Sequence, residues 1–410
     1  MIPTDPLVAA AAGAVLFLAP GLTALALLSP ASRAPLARDE RLFLVLASSV
    51  MASAWVALLL AEAGVFSLGR AAVVVAGACV VIAGVGRSRR GQAPHPASDG
   101  RTTDTGPHDV APVPHRLWPA LALAVLSFVM MARPGEYLLG GRDPGVYVAT
   151  MGLIARTGGI AWTDPTVTSI PAEDVELFYR HPEKGDWSWG RFMGVPLENP
   201  RTGRVVPEFF HLFPAFGAYL FQAMGVKGGL ATPPVFGVLG TVAAYLFLRR
   251  AIGETPALLA AALLAVNVVQ VWFARYPVSE PMSQFLLLTA LWAFLLWDAS
   301  RRPFYGVLAG AALGLNLLVR IDGVLLLVPV LLWLAARRLT HHLTWREASP
   351  LVLPLAAGAL HALLHAAFWS RKYLLGIVNR PYWHQPAWVW LVGTAGVLGL
   401  ILTVHRLRPT

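Results

Sequence analysis

The sequence predicts an all-α polytopic membrane protein, and three observations carry that reading. Hydrophobic residues make up 56% of the 410 positions and charged residues only 13%, whereas an ordinary soluble domain carries about 25% charged residues. Apolar runs of spanning length recur along the chain, each long enough to cross the hydrocarbon layer as a helix. Basic pairs fall in the short segments between those runs, which is the pattern that orients helices across a bilayer. The net charge of +10 is accordingly assigned to membrane orientation, and nucleic acid is not expected as a partner. The single cysteine, Cys79, lies inside an apolar run. It reads as a small buried hydrophobe, since one cysteine builds neither a disulfide nor a zinc site.

Taken in order, the run 7–28 has no basic residue before it and Arg33, Arg38 and Arg41 after it. That charge order predicts an outside N-terminus and an uncleaved first helix. Spans near 42–61 and 71–86 follow, so 1–86 reads as a three-helix N-terminal membrane addition. Segment 87–116 is rich in Pro, Gly, Ser, Thr and Asp and reads as a disordered cytoplasmic linker. The span 117–132 then opens the main module, 117–336, whose outer loop runs over 133–231. A polar stretch to about Glu208 is too long for a plain connector. In it, two extended segments flank Asn199-Pro200-Arg201-Thr202-Gly203 and predict a hairpin, part of a small extracytoplasmic α/β element. Trp162, Trp187 and Trp189 fit an interfacial aromatic belt.

The apolar segment 211–224 is short, has a proline in its first turn and runs into Val226-Lys227-Gly228-Gly229. If it crossed, the later arginine pairs would fall on the wrong side, so it is expected as a re-entrant or surface-lying helix. Arg249-Arg250, Arg301-Arg302, Arg337-Arg338 and Arg406/Arg408 then all become cytoplasmic. Spans near 233–248, 256–273, 282–297, 304–319, 323–336, 350–368 and 387–405 bring the expectation to about eleven crossings, with 337–410 holding the C-terminal helices.

This topology delivers one set of polar residues to the outer face: Arg142, Asp143, Tyr147, Glu208, His211, Arg275, Tyr276, Ser279, Glu280, Arg320 and Asp322. Most carboxylates fall on that side, a bias that the orientation rule does not produce. His361 and His365 have the i, i+4 spacing of a metal pair, but no Glu lies between them as in a zinc-peptidase helix. They read as polar residues facing the bundle interior. His341-His342 reads as a solvated loop. Arg371, Lys372, Tyr373, Tyr382 and Trp383 read as an ordinary interface loop, or as a contact for a lipid phosphate.

An acid after one transmembrane helix, a large first outer loop, a short proline-containing juxtamembrane helix and a second acidic loop, FARYPVSEPM, together resemble the GT-C superfamily of polyprenyl-phosphate-sugar-dependent glycosyltransferases. Within it, the bacterial branch related to protein O-mannosyltransferases and aminoarabinose transferases is most similar, over about 117–336. The resemblance implies an enzyme in the plasma membrane that moves a hexosyl or pentosyl group from a polyprenyl-phosphate donor to a glycan, lipid or protein acceptor outside the cytoplasm. It places Asp143 as general base on the acceptor hydroxyl, with Pro144 standing where relatives often carry a second acid. It places Glu280 across the cavity to orient the acceptor or hold a metal. Arg275, Arg320 and Arg142 suit the departing phosphate, because guanidinium forks match phosphate oxygens. Tyr147, Glu208, His211, Tyr276 and Asp322 are candidates for acceptor or sugar contacts. No cofactor is assigned, with divalent Mg or Mn left open and no metal ligand named.

The residues also admit plainer roles. Asp143 can pair with Arg142 or cap the run that begins at Pro144, a standard helix start, Ser279 and Glu280 can cap a proline-led helix, arginines at helix ends can snorkel to headgroups, and Asp322 can neutralise Arg320. At the level of the whole protein, the alternatives are a transporter or flippase of lipid-linked saccharides and a non-catalytic GT-C-like subunit. Against a transporter, the ionisable residues cluster at one interface and the long loop has no repeat partner. No Gly-rich nucleotide loop is present, which agrees with a lipid-linked donor. The Ala, Arg, Gly and Val bias suggests a GC-rich bacterium.

Overall fold

Prolines and capping side chains write the helix starts of this chain. Asp5 accepts from the amides of Leu7 and Val8 at 2.8 and 3.3 Å, with Pro6 at the first helical position, where its missing N–H costs nothing. Thr344 and Glu347 close a reciprocal capping box, and Asn267 caps the amides of Val269 and Gln270. The computed structural model describes residues 5–91, 116–138, 142–179, 190–192, 194–199, 201–340 and 342–378. The expected crossing at 387–405, most of the 87–116 linker, and Trp187, Trp189, His341, Tyr382, Trp383, Arg406 and Arg408 lie outside these residues.

Helices α1 (Pro6–Leu27), α2 (Pro30–Arg33), α3 (Arg38–Glu62), α4 (Leu68–Gly91), α5 (Trp118–Met131) and α6 (Arg142–Thr157) come first. A short mixed segment follows, with β1 (Trp162–Thr163), α7 (Pro165–Thr168), α8 (Val175–Phe178), β2 (Gly190–Phe192), β3 (Val195–Asn199) and β4 (Arg204–Val205). Then come α9 (Leu212–Met224), α10 (Val226–Leu230), α11 (Thr232–Ile252), α12 (Glu254–Val266), α13 (Val268–Arg275) and α14 (Glu280–Ser300). The described chain closes with α15 (Pro303–Asn316), α16 (Gly323–Leu339), α17 (Trp345–Phe368) and α18 (Arg371–Val378). It is an all-α polytopic membrane protein carrying one small sheet.

Among the described residues, six helices are long and apolar enough to cross a membrane, or seven if the bent pair α12–α13 is one span. The expected single span at 256–273 is broken by 56° at Asn267, whose side chain caps a new helix start. Helices α5, α15 and α16 form where crossings were expected but run only 14, 14 and 17 residues. The segment at 211–224 forms α9, which is buried within the protein from Leu212 through Tyr219 and packs on α6 and α3. Its aromatic side chains explain this, since Phe213, Phe216 and Tyr219 find ring partners in Tyr147, Phe236 and Phe66.

The predicted hairpin is β3–β4, antiparallel with Leu197 opposite Val205. Asn199 Oδ1 accepts from the amides of Arg201 and Thr202, and Gly203 takes φ +63°, a turn conformation that costs a side-chain-bearing residue. The sheet order is β1-β4-β3-β2. Trp162 pairs with Val205 at the edge of this sheet.

Two packing devices bring helices into close contact. Pro20 cannot donate to Leu16, and the freed Leu16 carbonyl accepts from Ser53 Oγ at 2.6 Å, as a buried carbonyl in a membrane helix requires. Gly306, Gly310 and Gly314 recur every fourth residue on α15, the small-residue stripe that admits a close neighbour. A Cβ on Gly310 would lie 2.1 Å from the Leu351 carbonyl oxygen of α17.

The basic pairs gather at one end of the bundle. Arg249 holds Asp39 through both Nη atoms, at 2.6 and 3.1 Å, and Arg250 Nε donates to Glu40 at 2.6 Å. Trp292 Nε1 also donates to Glu40, at 3.1 Å. Arg301 and Arg337 share Asp298 at 2.9 and 3.3 Å. Tyr305 donates to the Ser32 carbonyl and ties the start of α15 to α2.

Candidate functional site

At the opposite end, several elements converge because their ends carry the polar residues that their apolar spans exclude. Helix α6 starts at Arg142 and presents Asp143 in its first turn, where an acid is favoured by the helix dipole. The Asp143 side chain is exposed. Among the described residues its carboxylate makes no hydrogen bond or ion pair, so no capping bond holds it. The Arg142 side chain lies outside the described residues. One helical turn on, Tyr147 points inward: its hydroxyl is 3.0 Å from Ser279 Oγ, and its ring stacks on Phe209 at 5.1 Å. Burial pushes the Tyr147 phenol far above its usual range.

Ser279 thus spends its hydroxyl on Tyr147 and makes no side-chain cap for α14. Glu280 does not cap either. Its Oε1 lies 2.5 Å from Arg320 Nη1, and Arg320 turns its other face to Asp322, with Nε–Oδ1 and Nη2–Oδ2 both 2.9 Å. Arg320 is therefore clamped between two carboxylates from two different loops. Burial works against its charge, but the Asp322 and Glu280 contacts outweigh it and hold the guanidinium above its usual value. The Arg320 hydrogen bonds hold the Asp322 carboxyl below its ordinary range.

Arg275 and Tyr276 come from the loop after the broken span. The Arg275 carbonyl accepts from the Gly135 amide at 2.8 Å, which fixes the end of α13 to the segment after α5. Its guanidinium makes no hydrogen bond or ion pair among the described residues, and its Nε is buried. Tyr276 stacks on Trp272 at a centroid distance of 5.8 Å and meets Tyr137 edge-on at 4.7 Å. Slight burial and the neighbours Tyr137 and Asp143 raise its phenol.

Two residues that the sequence placed in a separate interface loop enter from α18. Tyr373 packs edge-on against Phe209 at 5.1 Å. Burial pushes its phenol up to about 12, and the charges of Arg320, Asp322, Asp143 and Glu208 all act on it. Lys372 donates to the Leu197 carbonyl. Burial lowers its ammonium pKa, against the pull of Glu198 and Glu208. The Lys-Tyr pair was visible in the sequence as part of an interface loop, but nothing local tied it to residues some 160 positions earlier.

Glu208 is buried, with its amide bonded to the Gly194 carbonyl at 2.9 Å, and shares with Lys372 and Tyr373 a small cavity between the sheet and α18. His211 is fully buried, with its Nδ1 2.9 Å from His365 Nε2. His361 and His365 both meet Glu62 of α3, a partner that spacing along α17 could not reveal. Among the described residues, no group of three or more His, Cys, Asp and Glu side chains is placed to hold a metal ion.

The end of the bundle therefore carries an open, unpaired aspartate, an unpaired arginine, an arginine locked between two acids, and aromatic walls. Such a set can take a proton, meet an anion and cradle a polar ring. Residues 206–369 match the family model for dolichyl-phosphate-mannose-protein mannosyltransferase. The match begins downstream of Asp143 and spans Arg275, Glu280, Arg320, Asp322 and Trp369. It supports the GT-C superfamily and a membrane glycosyltransferase of that type. No curated protein and no solved structure matches the chain.

Proposed function

We propose that this protein transfers a sugar from a polyprenyl-phosphate donor to an acceptor hydroxyl on the extracytoplasmic face of the plasma membrane. The observation that carries the reading is the unpaired, exposed carboxylate of Asp143 at the end of the bundle where the unpaired Arg275 and the Glu280–Arg320–Asp322 cluster also lie. The family match over 206–369 supports the same class of reaction.

In this reading Asp143 removes the acceptor proton as the acceptor oxygen bonds to the anomeric carbon. The bond from that carbon to the phosphate oxygen breaks on the opposite face of the sugar, and the polyprenyl phosphate leaves with the electron pair. Asp143 suits the task because, among the described residues, no hydrogen bond or ion pair occupies its carboxylate, and a positioned base contributes about 10²–10⁴-fold to such a step. Arg275 meets the departing phosphate, since among the described residues its guanidinium has no carboxylate partner to give up. Arg320, already neutralised by Glu280 and Asp322, holds Glu280 toward the acceptor. Tyr276 and Tyr373 wall the sugar, and Glu208 lies behind Tyr373 as a further polar contact.

The test is transfer of radiolabelled sugar by purified protein in lipid, with a panel of polyprenyl-phosphate sugars. Asp143→Asn is expected to lower turnover about 10²–10⁴-fold while donor binding persists. Equal turnover in both proteins removes Asp143 from the mechanism. Vesicle-dependent movement of the lipid-linked sugar without transfer replaces the reading with a transporter.

A further inference from the structure

A polar chain runs through the apolar packing beneath the candidate site. Glu62, the last residue of α3, lies between two histidines of α17. His361 Nε2 is 3.1 Å from each Glu62 oxygen, and His365 Nδ1 is 2.5 Å from Oε1. His365 Nε2 continues to His211 Nδ1 at 2.9 Å, and His211 Nε2 to the Pro207 carbonyl oxygen at 3.2 Å. At the other end, Trp55 Nε1 donates to His361 Nδ1 at 3.0 Å.

The two ends of this chain fix where its protons sit. An indole N–H only donates and a backbone carbonyl only accepts. Trp55 therefore makes His361 Nδ1 an acceptor, which places the His361 proton on Nε2, facing Glu62. The Pro207 carbonyl places a proton on His211 Nε2. Burial, reinforced by the neighbouring His365, holds His211 well below the usual imidazole range, so His211 is neutral and its Nδ1 accepts. His365 must then donate from Nε2. Toward Glu62 two arrangements remain: an ionised Glu62 requires His365 to donate from Nδ1 as well, as an imidazolium, whereas a neutral His365 requires the proton on Glu62. Both hold one proton more than a neutral imidazole beside a carboxylate, and both leave the chain with no net charge.

That balance matters because the surroundings are apolar. Phe210 stacks on the His365 ring at 5.8 Å, and the His365 side chain is fully buried. Removing the proton would leave a net negative charge with two acceptors facing each other, and a buried charge without a partner is strongly disfavoured. One link must then open. The ionisable groups facing one another here are Glu62 from α3, His361 and His365 from α17, and His211 ahead of α9.

The link at stake holds the wall of the candidate site. Phe209 takes φ +77°, a conformation that a phenylalanine keeps only when its surroundings impose it. Its carbonyl accepts from Ser370 Oγ at 2.7 Å, and its ring is held by Tyr147 and Tyr373, each at 5.1 Å. Pro207, bonded to His211, and Phe210, stacked on His365, complete the clamp on either side of Glu208 and Phe209.

We infer that Glu62, His365 and His211 form a one-proton positioning chain that holds the strained segment 207–210, and through it Glu208 and Phe209, against the candidate site. Its effect on transfer rests on the function proposed above; the proton and the order of the segment do not.

The experiment combines ¹⁵N-histidine NMR and carboxyl infrared spectroscopy with hydrogen-exchange mass spectrometry, on the full chain in lipid nanodiscs. His365→Asn and Glu62→Gln assign the signals. Wild type is expected to show either a doubly protonated His365 or a protonated Glu62 carboxyl. At matched pH, Glu62→Ala, which can neither donate nor accept, is expected to raise exchange in peptides covering 208–212 by about tenfold or more, with peptides from α11 unchanged. Glu62→Asp is expected to restore part of the protection, and wild-type protection is expected to fall as pH rises through loss of the proton. A singly protonated His365 beside an ionised Glu62 overturns the inference, and so does unchanged exchange in Glu62→Ala. If that variant does not fold, the wild-type spectra decide alone. Should wild type transfer no sugar from any donor while the exchange differences persist, the positioning chain stands and the reaction falls.

Discussion

The two ends of α3 use the same kinds of residue in opposite ways. At one end Asp39 and Glu40 are buried and each is taken up by an arginine of α11, with Asp39 gripped by both Nη atoms of Arg249. At the other, roughly 34 Å away at helical rise, Glu62 is shared between histidines, and among the described residues the exposed Asp143 and the half-buried Arg275 above it have no ion-pair partner. A charge that is buried must be matched, because unpaired it costs several kcal/mol. A charge left open at a surface is available to a ligand. The contrast separates residues that hold the bundle together from residues positioned to act.

The largest effect is expected where matching is strictest. Arg249→Met leaves Asp39 buried and unpaired, and is expected to cost about 3–5 kcal/mol in unfolding measurements in detergent. Adding Asp39→Asn should recover most of that loss. If the single variant is as stable as wild type, the basic end is not a matched network. Next comes the contact that brings α15 against α17. Gly310→Ala places a methyl against the Leu351 carbonyl, and a cost of about 1–3 kcal/mol is expected from forced backbone movement, read as a lowered melting temperature.

Smaller effects are expected at the open end. Arg275→Gln should change stability by no more than about 0.5 kcal/mol while weakening binding of the donor phosphate. A variant that unfolds instead would show the arginine to be structural. The Arg320–Asp322 pair is partly exposed and worth at most about 1 kcal/mol. Because the folded-state pKa of Asp322 is depressed, this contribution is present above the ordinary aspartate value of 3.8 and is lost as pH falls through the lowered value. Arg320→Gln should remove that acid-side step from the pH profile of unfolding.

Much of the architecture was legible because hydropathy and loop charge report directly on the bilayer. The helices at 6–27, 38–62, 232–252, 280–300 and 345–368 follow apolar runs that have no other way to satisfy their backbone. The turn at Asn199–Gly203 was legible for a local reason, since Asn and Gly are the residues such a turn needs. The bend at Asn267 was not, because an apolar run carries no mark of which carbonyls its neighbours satisfy. A short apolar helix such as α9 likewise reads the same on a surface and in a core, and only its ring partners show that it packs inside the protein.

Of the candidate site, the residue types and their clustering toward one end were set by the sequence alone. Charges cannot sit in hydrocarbon without partners, so they appear where spans stop, and the order of those stops is written in the chain. Which charges meet was decided by tertiary structure. Glu280 and Arg320 are 40 positions apart, and Glu62 meets His361 and His365 across about 300. No local pattern encodes such pairs, because a hydrogen bond depends on distance and direction in space, and helix packing alone brings these ends together.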